Sequence, residues 1–398
     1  MNLSPQQLWG ILNLDSCSDL IRKLPLGTFL VGGAIRDAFL NRLRSNPDLD
    51  FVVPEKAIQT AQNLAMQLDA TSIVLDKERD IARLVFPNLT IDIASKVGNT
   101  IEDDLLRRDF TINAIALTLD QEPQIIDPTD GLKHLFEQSL TAVDEKNLID
   151  DPLRLLRAMR LIAELDLFIN EKTLDWINKH ADLLVQVSPE RIQMEIIKLV
   201  AGPFAHKVIP RLKKLALLGH WSNKSNSFYR ELPSYESLSF FKTNELFVAL
   251  PLARLTNLLS DKGLKKLRFS QNIQRRCAAL RKWQEVNDGK AFKDLPEIER
   301  LKLHKDLEKD LPALILDLPI ENQLPWLNRW RDETDPLFHP LSPLDGNVLQ
   351  ESLDLPPGPL LGKLMFFLTK ERAFGRLGNE DQALQAAFNW WNQNQPLL

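Results

Sequence analysis

The sequence predicts an α+β chain: strands and helices interleave over the first ~140 residues, and helices alone follow. Two observations carry this. Between residues 27 and 126, short runs rich in Val, Ile, Leu and Phe alternate with Gly, Pro, Asn and Asp, the mark of brief strands and tight turns. From about residue 133 the apolar residues recur instead at three- and four-residue intervals, the period of an amphipathic helix. With 398 residues, 44% hydrophobic and 26% charged, the chain can bury a sizeable core and has the length of about two to four domains.

Taken in order, Gly27–Val31 reads as a strand and Ala34–Asn41 as a helix. Leu49–Val53 is a strand closed by Pro54, and Glu55–Leu68 has helical spacing. Thr71–Leu75, Ile81–Phe86 and Thr90–Ala94 are short strands, Asn113–Leu119 is apolar, and Pro123–Ile126 is an edge strand before the turn Asp127–Gly131. Pro152 suits a first helical turn with Asp150 or Asp151 as cap, so a helix is expected over Leu153–Leu165. Ser188-Pro189-Glu190-Arg191 starts another, to about Val200. Asn223–Ser239 reads as a loop, and Pro336–Pro359 as a connector before a last helix around Asn379–Trp391. No fixed-period repeat is present. Trp221, Trp326, Trp330, Trp390 and Trp391 read as packing residues.

Several function classes drop out. No apolar run reaches the roughly 18 residues that cross a bilayer, and the N-terminal stretch lacks a cationic segment followed by an apolar core, so neither a membrane partner nor a secretory leader is expected. Cys17 and Cys277 are too few for a disulfide framework or a Cys-ligated zinc site and fit a reducing, cytoplasmic setting. The six histidines show no metal-ligand spacing. Net charge is −5, but unevenly spread: −10 over residues 1–200, +11 over 201–290 and −6 over 291–398. A basic block between acidic ones suits a polyanion partner, or else a lysine-rich solvated helical face.

Four short segments carry chemistry. Gly32-Gly33-Ala-Ile-Arg36-Asp37 follows a strand and opens a helix. Glycines there let the backbone approach a ligand, and the free N–H groups suit an anion, with Arg36 one turn in. A tight connection is the plainer reading. Asp48-Leu49-Asp50 begins the next strand, 15 residues after Gly33. Strand alternation puts both carboxylates on one face, where they repel unless a cation lies between them. Mg²⁺, which takes oxygen ligands and phosphates together, resolves this. A phosphate turn followed by such a pair is the layout of a nucleotidyltransferase, with two metal ions activating a hydroxyl and stabilising the pyrophosphate leaving group. Arg107-Arg108-Asp109, read as a helix start, offers two guanidiniums for triphosphate or nucleotide, or else an internal Arg–Asp pair. In Asp150-Asp151-Pro-Leu-Arg154, the arginines 154, 157 and 160 share one side of a helix with Asp151. A carboxylate beside a guanidinium matches the amine and acceptor that cytosine and adenine present together.

GGAIRD, DLDF, RRDFTINA, DPTDG and DDPLRLLRAMR, in this order over residues 27–165, resemble the class II tRNA nucleotidyltransferase and poly(A) polymerase family. SPERIQMEIIKL (188–199) is similar to its next helix motif. The resemblance implies a nucleotidyltransferase head with a mixed β-sheet over 1–140, then an all-helical neck (141–200), body (201–300) and tail (301–398). Its partners would be CTP or ATP and tRNA, held by the acceptor arm and elbow. It implies two Mg²⁺ on Asp48 and Asp50, and triphosphate on Gly32, Gly33 and Arg36. It further implies nucleotide contacts from Arg107 and Arg108, base reading by Asp151 and Arg154, and Arg157 and Arg160 on the triphosphate side. The basic block, with Lys213, Lys214, Lys265, Lys266, Arg275 and Arg276, would lie along the tRNA backbone. Asp92 is either a third carboxylate facing metal or a surface residue. The neck motif departs mildly, beginning Asp150-Asp151 where Glu-Asp is more usual.

A second departure bears on the product. In members that add the whole CCA end, an extended flexible loop precedes the RRDF motif, whereas here only 14 residues separate Asp92 from Arg107. A short segment there resembles enzymes that add CC and leave the A to a separate A-adding enzyme. Full CCA addition is the alternative. An A-adding enzyme or poly(A) polymerase fits less well, since the basic segment that often follows the carboxylates in bacterial poly(A) polymerases is replaced by Phe51-Val-Val-Pro-Glu55. A catalytically silent tRNA-binding relative would be favoured by loss of either carboxylate, and both are present. A small-molecule nucleotidyltransferase of the antibiotic-modifying kind leaves the RRDFTINA and neck motifs unexplained.

Overall fold

The computed structural model describes residues 3–215, 217–222, 238–286, 292–355 and 357–394. They form two compact units, Met1–Ser188 with Leu215–Leu217, and Pro189–Lys214 with Leu218–Leu398.

The first unit is built on a seven-stranded sheet. Its strands are β1 (Phe29–Val31), β2 (Asp48–Val53), β3 (Thr71–Asp76), β4 (Ile81–Val85), β5 (Thr90–Ser95), β6 (Ala116–Thr118) and β7 (Ile125–Ile126). The order across the sheet is β3-β4-β5-β2-β1-β6-β7, and β2 and β5 are the parallel pair in an otherwise antiparallel ladder, so the sheet is mixed. The segment crossing from β2 toward β5 carries the helix Ala57–Leu68, which turns Ala57, Ala61 and Leu64 inward. Its first N–H groups, of Ala57 and Ile58, are accepted by the Asp80 carboxylate at 2.8 and 3.0 Å. On the opposite face Val31, Val52, Ile101, Leu105, Ala114 and Ala116 form a small core. Alternation along β2 thus places Leu49, Phe51 and Val53 on one side and Asp48, Asp50 and Val52 on the other. That second side is buried at Val52 and open at Asp48.

The neck helix forms over Leu153–Leu165, as the spacing predicts. Leu153, Leu155, Leu156, Ala158, Met159, Leu161 and Ile162 are buried, while Asp151, Arg154, Arg157 and Arg160 remain half-buried along one stripe. Its cap differs from expectation. Pro152 holds the N-cap position with no side-chain cap, and the Asp151 carbonyl, rather than a carboxylate, accepts from the Arg154 N–H. Strands also do not stop at residue 133: β8 (Ser139–Leu140) and β9 (Phe168–Ile169) pair in parallel, a register that patterning cannot reveal in two-residue strands. Asn113–Leu119 divides into a single 3₁₀ turn, Thr111–Asn113, and β6.

The second unit is helical. Pro189–Ala201, Thr243–Leu258, Gln271–Glu285 and Leu311–Ile315 pack together, and Thr243–Leu258 is apolar nearly all round because neighbours cover it on several sides. A separate cluster of Leu344, Leu349, Leu355, Leu364, Leu368, Ala383 and Ala387 joins the last helices, with Trp390 and Trp391 packed against it. The Pro336–Pro359 connector is not featureless: it contains the helix Gly346–Leu353, capped by Asp345. Most of the Asn223–Ser239 loop, residues 223–237, lies outside the described residues.

Candidate active site

The glycine turn rises beside the carboxylates because of strand register. Val31, the last residue of β1, pairs with Asp50 on β2, so Gly32 leaves the sheet next to that side chain. Gly32 has φ +81° and ψ −135°, a conformation that L side chains avoid, and Gly33 opens the helix Gly33–Phe39. A Cβ on Gly32 would lie 3.3 Å from Arg108 Nη1 and 3.4 Å from Asp50 Oδ2, so the turn passes between a guanidinium and a carboxylate. Asp50 is aligned with Asp92 on parallel β5, and Asp48 is exposed two residues before. Burial pushes the Asp50 carboxyl up to about 6; Arg108 pulls it down, while Asp92 and Asp48 add to the rise. Asp92 is engaged elsewhere: Arg83, its cross-strand neighbour on β4, donates to both its oxygens at 2.7 and 2.9 Å.

Among the described residues no three His, Cys, Asp or Glu side chains converge as a metal cluster. Two carboxylates remain, Asp48 and Asp50, the second desolvated by burial and raised further by its carboxylate neighbours. An all-oxygen pair completed by substrate phosphates and water is the donor set that Mg²⁺ takes, so these residues fit that ion.

The RRDFTINA segment sits differently from its sequence reading. Arg107 and Arg108 follow the helix Ile101–Leu105 instead of starting one. Arg108 donates to Asp104 Oδ2 at 3.1 Å, and Arg107 is exposed. Asp109 is 6% exposed and is the centre of a network. Its Oδ1 accepts from Phe110 N–H at 2.7 Å and from Asn113 Nδ2 at 3.1 Å, and Arg157 Nη1 approaches its Oδ2 to 3.3 Å. Asn113 Oδ1 in turn accepts from Arg36 Nη1 at 2.7 Å. Burial alone would raise the Asp109 carboxyl; Arg157, Asn113 and Arg154 outweigh it and hold it below the usual range. The network therefore runs from the helix behind the glycine turn to the neck helix. Arg36, 8% exposed and also bonded to Asp37, is a strut under the turn. Arg154 Nη1 donates to the carbonyls of Arg107 and Asn147 at 2.9 and 3.1 Å. Burial works against its charge, and Asp109 and Asp151 support it. Arg160 lies 3.7 Å from Glu164.

The sequence offers Asp109 only as an internal partner of the adjacent arginines and gives Asn113 no role; the structure pairs Asp109 with Asn113 and Arg157, and Asn113 with Arg36. Arg83 had no signal until β4 and β5 were paired.

Between β5 and the helix Ile101–Leu105 the chain makes a closed turn. Asp103 accepts from the N–H groups of Asn99 and Thr100 at 2.9 and 3.0 Å, Asp104 accepts from Val97 N–H at 3.1 Å, and Lys96 Nζ donates to the Asn99 carbonyl at 2.7 Å. Gly98, at φ +95°, lies so close to Asp103 that a Cβ would meet it at 2.4 Å.

In the second unit, Lys213, Lys214, Lys265, Lys266 and Arg275 are exposed. Arg276 is taken up by Asp310 at 2.6 and 2.8 Å, and Arg281 and Lys282 pair with Asp261 and Asp306, so part of the basic block is neutralised within the fold.

Comparison with known proteins agrees with this architecture. Residues 28–141 match the family described as poly A polymerase head domain, and residues 166–222 match the probable RNA and SrmB-binding site of polymerase A. A CC-adding tRNA nucleotidyltransferase of Synechocystis sp. is 32% identical over 92% of this chain and 94% of its own length. A CCA-adding enzyme of Streptococcus thermophilus is 28% identical over 90% and 91%. The crystal structure of the Bacillus stearothermophilus CCA-adding enzyme in complex with CTP has the same fold, with a TM-score of 0.68 over 99% of each chain at 22% identity. The mixed-sheet head and helical remainder, and a relative of this identity along nearly the whole of both chains, show that the protein belongs to the class II tRNA nucleotidyltransferase family and is a nucleotidyltransferase.

Proposed function

We propose that this chain adds two cytidines from CTP to the 3′ end of tRNA and leaves the terminal A to a separate enzyme. Nucleotidyl addition at a tRNA 3′ end rests on family membership. The stop after CC is carried by one observation, the closed turn over residues 96–100 where full CCA-adding members have an extended loop. The Streptococcus thermophilus relative, a CCA-adding enzyme, keeps the full CCA reading as the alternative.

In the reaction, the triphosphate meets the Gly32–Gly33 turn where it opens the helix Gly33–Phe39; the Gly32 N–H, which the sequence reading expects to be free, instead donates to the Ile115 carbonyl at 3.1 Å and fixes the turn, while Arg108, pressed against it, adds positive charge. Arg36 holds the turn from behind through Asn113. Asp48 and Asp50 would hold Mg²⁺, one ion or the expected two. When bound there, Mg²⁺ supplies charge neutralisation at the attacking 3′-hydroxyl and the leaving pyrophosphate. Asp151 and Arg154 read the base edge, Arg154 being oriented by two carbonyls. Arg107 is free to swing to nucleotide or RNA, while Arg157 and Arg160 extend the positive stripe toward the phosphates. Lys213, Lys214, Lys265, Lys266 and Arg275 contact the tRNA backbone. The head, neck, body and tail boundaries proposed are 1–140, 141–200, 201–300 and 301–398.

The test uses purified protein, a tRNA transcript lacking its CCA end, Mg²⁺, and CTP and ATP separately and together. Two added residues, with no further A when ATP is present, support CC addition. Three residues with both nucleotides support full CCA addition and remove the argument from the turn. Asp50→Ala should give no measurable incorporation while still binding tRNA; incorporation by that variant would remove the metal assignment.

A further inference from the structure

The second unit encloses a cavity of about 100 Å³. Phe292, Trp326, Phe338 and the His304 ring line it, together with the cations Lys293 and Arg300. Phe338 is committed to the wall: the His304 ring packs on it, tilted by 36° with ring centroids 4.2 Å apart, and Arg329, itself clamped by Asp335, lies 4.4 Å from its centroid. Trp326 is only partly buried, 5.7 Å from Phe292 and 5.3 Å from Phe338, and its ring is what an entering group would meet. His304 is 3% exposed, and its Nδ1 has no hydrogen-bond partner among the described residues. Neither Lys293 nor Arg300 has a carboxylate partner there.

Such a site has two demands: a flat π-face for Trp326, and negative charge for Lys293 and for Arg300, whose guanidinium lies over the Phe374 ring at 5.2 Å. A nucleobase on its phosphate chain meets both. The cavity has room for one ring and not for a nucleoside triphosphate. We propose that it captures one unstacked base of the RNA substrate, with a flanking phosphate on Lys293 and Arg300. The proposal rests on the reading that this chain extends tRNA.

The experiment measures the affinity of the full chain for a CCA-less tRNA and for a blunt, fully paired RNA duplex. Trp326→Leu should weaken tRNA binding about ten- to a hundredfold, the range of one lost base stack, and leave the duplex unchanged. Incorporation at saturating tRNA should be preserved. The pair Lys293→Gln with Arg300→Gln, which leaves Trp326 and the other rings of the cavity in place, should also weaken tRNA selectively and flatten its salt dependence. Unchanged tRNA affinity in both variants overturns the proposal, as does equal weakening of tRNA and duplex. Free CMP binding that is lost in Trp326→Leu with no change in tRNA affinity makes this a mononucleotide site and also overturns it. Wild-type protein that neither binds nor extends tRNA overturns the underlying function instead.

Discussion

Replacing Asp109 by Asn removes one charge from the centre of the network that joins the glycine-turn helix to the neck helix. Asparagine can still accept from Phe110 N–H through its oxygen, but its amide would face Arg157 Nη1, donor against donor. A hydrogen bond between charged groups contributes about 1.5–3 kcal/mol. The Arg157 side chain is 34% exposed and rehydrates in part, which lowers the expected loss to about 1–2 kcal/mol. At roughly 2–4 °C per kcal/mol for a unit of this size, melting should fall by about 2–8 °C. Asp109 is held below its ordinary 3.8, so its contribution is present above that pH and is lost as pH falls through the folded value; the effect should be full at neutral pH. Because Asn113 also positions Arg36, kcat/KM for CTP should drop roughly ten- to a hundredfold. Thermal melting, single-nucleotide kinetics and a cycle with Arg157→Ala test this together. An Asp109→Asn protein that melts with wild type and keeps its kcat/KM refutes the reasoning, as does strict additivity with Arg157→Ala.

Three further outcomes are expected. Gly32→Ala forces a side chain into a strained backbone region costing about 1–3 kcal/mol and against Asp50 and Arg108, so KM for CTP should rise steeply in steady-state assays while tRNA affinity holds. His304 is held neutral, near 3, chiefly by burial, with Arg329 and Arg300 opposing its charge and Asp335 favouring it. A base depressed by folding contributes stability that is complete above its unfolded pKa of 6.5 and declines as pH falls toward 3, so urea midpoints should drop from pH 7 to pH 5 by an equivalent of about 2 kcal/mol, less in His304→Phe; equal pH slopes in the two proteins would count against it. Binding of tRNA should weaken steeply between low and moderate salt, and Lys265→Gln with Lys266→Gln should make that slope shallower, whereas a flat wild-type curve would leave the exposed lysines without a polyanion.

Much of the head was legible because its signals are local. The strand Leu49–Val53, the glycine turn and the neck helix each announce themselves within a dozen residues, through alternation, a Gly-Gly pair, or proline before an apolar stripe. The same locality explains what patterning misses. The two-residue strands Ser139–Leu140 and Phe168–Ile169 exist only through each other, and Arg107-Arg108, which reads as a helix start, instead follows a helix with an acidic capping box at Thr100 and Asp103.

By itself the sequence determined the α+β division, the carboxylate pair on one strand face, the arginine stripe on the neck helix and the shortness of the segment before Arg107. Those properties depend on residue type and on periods of two or 3.6 residues, which a linear chain already contains. Only the tertiary structure decided that Asp92 is clamped by Arg83, that Asp109 and Asn113 tie Arg36 to Arg157, that Arg276 is spent on Asp310, and that Trp326 lines a cavity. Each of these pairs residues distant in sequence, or on strands not adjacent until the sheet forms, and the charge or ring that completes each one is supplied by folding.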